Sequence, residues 1–100
     1  MKNMTKILLA LTLISTAVMA TDGASLYKKC ASCHGTLGEK QALSKSKVIN
    51  EMTQENLVTA LKGYQNGSYG ASMKALMKGQ VAKLNNKDID ALAHYISTIK

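Results

Sequence analysis

Two cysteines separated by two residues and followed at once by a histidine, Cys30-Ala31-Ser32-Cys33-His34, constrain this chain more than any other stretch. They are the only two cysteines in 100 residues. Thiols at this spacing sit on one turn, where each can add to a vinyl group of the same porphyrin. The histidine after the second cysteine is then held against the iron from one face, so C-x-x-C-H reads as a covalent haem attachment site. Three other readings compete. A structural zinc site wants four ligands, and Cys30, Cys33, His34 and the distant His94 are a poor set. A thioredoxin-like redox pair needs a βαβ context, and no strand with a crossover helix surrounds this motif. A plain disulfide would leave His34 unexplained. Haem uses all three residues.

Residues 1–20 read as an export signal, and 21–100 as one small domain. Lys2 and Lys6 form a basic start, Ile7 to Ala17 an apolar run, and Val18-Met19-Ala20 a cleavage site. The apolar run is shorter than the ~20 residues that span a bilayer comfortably; a retained membrane anchor is the alternative. Cleavage after Ala20 leaves 80 of the 100 residues, close to the limit of roughly 70–80 below which a chain struggles to stay folded on its own core. That product has no Trp and no Phe, only Tyr27, Tyr64, Tyr69 and Tyr95. A porphyrin would supply the missing apolar mass.

Charge narrows the partners. Without Lys2 and Lys6 the net charge falls from +7 to +5, and two haem propionates would bring it to +3. The basic residues are all lysine, which argues against nucleic-acid recognition, where bidentate guanidinium contacts are prominent. A lysine excess of this size fits steering toward an acidic protein surface, or simply a soluble one.

The domain reads as all-α. Asp22 is expected to cap a first helix from Gly23 to about Ser32, with Leu26, Tyr27 and Cys30 on one face. Residues 39–50 read as an irregular loop rich in lysine and serine. Thr53 is expected to cap a helix from Gln54 to Leu61, turned inward through Leu57, Val58 and Leu61 and stopped by Gly63. Residues 63–72 read as a flexible, turn-rich loop, followed by a short helix from about Met73 to Gln80. Asn85 is expected to cap the last helix with Asp88 at its third position, and Ile89, Leu92, Ala93, Ile96 and Ile99 form its buried stripe. His94 lies off that stripe and reads as a surface residue.

Together these residues resemble a class I cytochrome c of the small bacterial monohaem c-553 kind. The resemblance runs from Asp22-Gly23 and Tyr27 through Cys30-x-x-Cys33-His34-Gly35 to Ala91-Leu92-Ala93-x-Tyr95-Ile96. It implies three to four helices wrapped around one covalent haem c, with Gly23 meeting the region of Tyr95 where the first and last helices cross. It implies thioethers from Cys30 and Cys33 and axial iron ligation by His34 and by a methionine ahead of the last helix. Met77 fits that place best and Met73 is second choice; Met52 reads as packing. Many members carry a proline after the haem motif whose carbonyl holds the proximal histidine. This chain has no proline, so a carbonyl between Ala42 and Ile49 is expected to hold His34 instead.

The resulting expectation is a monomeric periplasmic carrier of single electrons. It would serve redox proteins of the periplasm or inner membrane, with Lys28, Lys29, Lys40, Lys74 and Lys78 around the haem edge facing acidic surfaces. The alternatives are a haem-based sensor with a labile sixth ligand, allowed by a flexible 63–70 loop, and a metal-binding or thiol-redox module without haem. No nucleophile or acid–base pair beyond the haem motif marks an enzyme.

Overall fold

A computed structural model describes residues 22–100; the expected signal peptide, residues 1–20, and Met19 with it lie outside the described residues. Among those described, five α-helical segments follow in order: α1 Gly23–Tyr27, α2 Ala31–His34, α3 Gln54–Asn66, α4 Lys74–Val81 and α5 Asn86–Thr98. The only β-pairing among them is an isolated bridge between Gln41 and Val48, so the all-α expectation holds.

The first helix is not continuous to Ser32 as expected. After Asp22 caps it through the Ala24 amide (3.0 Å), the ladder tightens. Lys28 N donates to Ser25 O and Cys30 N to Tyr27 O, three residues back instead of four. Such tightening ends an α-helix and turns the chain, and the C-x-x-C-H motif therefore begins on a turn and ends on its own short helix.

Helix α5 is the centre of the core. Asn85 Oδ1 accepts from the Asp88 amide and Asp88 Oδ2 from the Asn85 amide, a reciprocal cap. From that start Ile89, Leu92, Ala93 and Ile96 fall on one face and are buried, with Ile99 half-buried beyond them. α5 packs against both α1 and α3. A Cβ built on Gly23 would collide with Ala91 O and lie 2.8 Å from Tyr95 Cβ, so the close crossing expected there is present. Tyr27 and Tyr95 stack obliquely across it, 5.6 Å between centroids.

Helix α3 runs past its expected stop. Thr53 caps it as read from the sequence, but Gly63 is an internal, buried position, and the helix ends at Asn66 with Gly67 in the left-handed conformation (φ 85°). The chain then folds back. Ser68 N and Tyr69 N both donate to Gly63 O, and the Tyr69 ring meets Tyr64 edge-on at 5.1 Å. Four of the ten residues of the supposed 63–72 loop are thus helical, and Gly67, Ser68 and Tyr69 are pinned to the helix end. Gln65 Nε2 ties α3 to the end of α4 by donating to Val81 O (2.9 Å) and Leu84 O (2.7 Å).

Candidate functional site

The motif opens onto a cavity of about 360 Å³, within the range of about 300–1,000 Å³ typical of small-molecule and cofactor clefts. Cys30, Cys33 and His34 form one end of it. Leu57, Leu61, Leu92 and Ile96, from α3 and α5, give it an apolar floor. The 42–49 segment and the 69–77 segment, the latter carrying both Met73 and Met77, complete the wall.

His34 is 5 % exposed, and burial pushes its imidazole below the usual range. The ring is therefore neutral at pH 7, the form that ligates a metal. Its Nδ1 is buried with no hydrogen-bond partner. The expected carbonyl between Ala42 and Ile49 does not reach it: that segment spends its polar groups on itself, with the Ala42 amide donating to Ser46 Oγ and that hydroxyl to Lys47 O. Half-buried Cys30 has its thiol pushed up by burial, while Cys33 is exposed. The two thiols are unbridged.

Met77 is half-buried and packs against the core cluster. Met73 caps the same helix one turn earlier, and Met77 N donates to Met73 O. Both therefore border the cavity. Met52 packs against the core as expected and borders the cavity as well. His94 does not: it is exposed on α5, its Nδ1 3.4 Å from Gln54 Oε1.

Of the five lysines expected around the haem edge, Lys29 lines the cavity, together with Lys45 and Lys47 on the segment joined by the Gln41–Val48 bridge. Lys74 turns away, donating to Gly67 O. Tyr64, on the part of α3 beyond its expected stop, Leu43, in the 42–44 turn, and Tyr69, on the segment folded back on the helix end, also border the cavity; helical periodicity carries no signal for the last two.

A neutral buried imidazole, adjacent unbridged thiols, thioethers on a shared wall and an apolar floor fit a haem. They do not fit zinc, since among the described residues no three His, Cys, Asp or Glu side chains gather as a metal cage requires. The sequence matches the cytochrome c family over residues 20–100. The chain belongs to the cytochrome c family. Its cofactor is haem c, covalently bound. This cytochrome c is 41 % identical over 99 residues to cytochrome c-553 of Helicobacter pylori, covering 97 % of this chain and all of the relative. It is 41 % identical over 83 residues to cytochrome c-553 of Nitratidesulfovibrio vulgaris, covering 83 % of this chain and 81 % of the relative. Cytochrome c-554(547) of Halothiobacillus neapolitanus is 32 % identical over 90 residues, covering 81 % of this chain and 97 % of that protein.

Proposed function

We propose that this cytochrome c is a periplasmic, monomeric, soluble carrier of single electrons. The observation that carries the reading is one apolar cavity bordered by a buried neutral imidazole, His34, and a half-buried thioether, Met77. Bound there, haem c supplies a one-electron iron couple whose potential is raised by Met/His ligation. Cys30 and Cys33 form the thioethers that keep it in place. His34 and Met77 would ligate its iron, a closed centre suited to passing electrons and not to turning over a substrate. Two relatives named cytochrome c-553 support the assignment.

Residues 1–20 export the chain and are cleaved after Ala20. Lys29, Lys45 and Lys47 steer it to redox proteins of the periplasm or inner membrane whose docking faces are acidic. The sensor alternative needs a flexible 63–70 segment; the Tyr64–Tyr69 contact and the amides on Gly63 O favour an ordered one and so support the carrier reading.

The test is the absorption spectrum of the haem-loaded protein. A low-spin ferrous spectrum is expected, with the weak far-red ferric band of methionine ligation, lost in Met77→Ala and kept in Met73→Ala. A high-spin spectrum would remove the sixth ligand and return the sensor reading.

A further inference from the structure

Among the described residues, His34 Nδ1 is the buried side-chain polar atom left without a hydrogen-bond partner. A metal-ligating histidine ordinarily donates that N–H to a carbonyl or carboxylate, which fixes the ring. Here nothing polar holds the ring, but the main chain around it is tied at every point. His34 N donates to Cys30 O and Gly35 N to Ala31 O, while His34 O accepts from Lys40 N at 2.9 Å. Gly35 O accepts twice, from Gly38 N at 3.1 Å and from the Tyr27 hydroxyl at 2.6 Å.

That second contact is a side-chain tie between the α1–α5 crossing and the residue after His34. Gly35 has φ 89° and ψ 158°, a region essentially reserved for glycine, and this conformation aims its carbonyl at Tyr27. Tyr27 cannot follow a moving carbonyl. It is 3 % exposed, and its ring is wedged against Tyr95 at the α1–α5 crossing. Burial also pushes the phenol up to about 12, so the hydroxyl remains a donor throughout the neutral range.

We propose that Tyr27 is the positioning residue of the His34 ligand: by holding the Gly35 carbonyl, its hydroxyl fixes the Gly35–Thr36 peptide, anchors the residue that directly follows His34, and with it sets the direction in which the imidazole enters the cavity. This rests on the reading of His34 as an iron ligand. The ring's direction is set through the backbone, from the helix crossing, in place of a hydrogen bond to Nδ1. If Tyr27 only filled the core, phenylalanine would serve equally well.

The experiment compares the haem-loaded wild type with Tyr27→Phe and Tyr95→Phe. The second variant removes a hydroxyl from the neighbouring ring at the same crossing without touching Gly35. Two readouts are taken: amide hydrogen exchange at Gly38 and Lys40, and the paramagnetically shifted NMR resonances of the ferric His34 ring. Tyr27→Phe is expected to speed both amides about tenfold, the equivalent of one lost net hydrogen bond, and to displace the ring resonances. Tyr95→Phe is expected to leave both in place. Unchanged amides and ring resonances in Tyr27→Phe, or equal changes in the two variants, would make Tyr27 core packing only, while the carrier reading stood. An unligated His34 in the wild type would remove both. Should Tyr27→Phe fail to mature, the wild type still decides: the Tyr27 hydroxyl proton should exchange slowly, and a rate like that of an exposed tyrosine overturns the proposal.

Discussion

Gly63 and Tyr69 occupy what would be one space: a Cβ built on Gly63 would lie 2.5 Å from Tyr69 Cβ. A mid-helix glycine ordinarily costs about 1 kcal/mol relative to alanine. Here its missing side chain admits the returning chain, which brings the 69–77 segment back over the cavity. Gly63→Ala should therefore destabilise the protein by about 1–3 kcal/mol despite its better helix propensity, as chemical denaturation would show. A gain in stability would mean that Tyr69 is free to move away.

Tyr27 gives the folded state a limit at high pH. Burial raises its phenol to about 12 from an ordinary 10, so folding favours the neutral form. Its contribution is fully present below pH 10 and is lost as pH rises through about 12. The difference in stability between wild type and Tyr27→Phe should be constant from pH 7 to 9 and shrink above 10, measured by urea denaturation at each pH. A difference that grows there would reverse the sign of the shift.

The lysines that line the cavity make a specific kinetic prediction. Lys45→Glu with Lys47→Glu should slow association with an acidic redox partner about tenfold at low salt and weaken the salt dependence. Lys74→Glu with Lys78→Glu should do so much less, since neither residue lines the cavity. Stopped-flow electron transfer at two ionic strengths checks this; equal effects from the two pairs would remove the 41–48 segment from the docking face.

Asn85→Ala removes one half of the reciprocal cap on α5. A loss of about 0.5–2 kcal/mol is expected, visible as a lower thermal midpoint with an unchanged haem spectrum, because the cap lies outside the cavity lining.

Caps and stripes were legible in the sequence because they depend on neighbours a few residues apart. Thr53, Asn85 with Asp88, and the Ile89–Ile96 stripe stand where pattern put them. The C-x-x-C-H motif was legible for the same reason. The break after Tyr27 was not, because three-residue and four-residue backbone bonds leave the same side-chain pattern. Nor was the length of α3. Gly63 looks like a stop until Tyr69, six residues on, is seen to need its space. The place of Lys45 and Lys47 at the cavity was not legible, because the segment closed by the Gln41–Val48 bridge has no periodic signature.

The crossing of Gly23 with Ala91 and Tyr95 joins the two ends of the described chain. Contacts so far apart in sequence close a long loop, an entropic cost that the packing of α1 on α5 must offset. During synthesis the early residues have no partner to dock on until α5 has emerged. The turn that bears Cys30 and Cys33 has its own local bonds, Cys30 N to Tyr27 O and His34 N to Cys30 O, but α1 beside it is covered only when the last helix is in place.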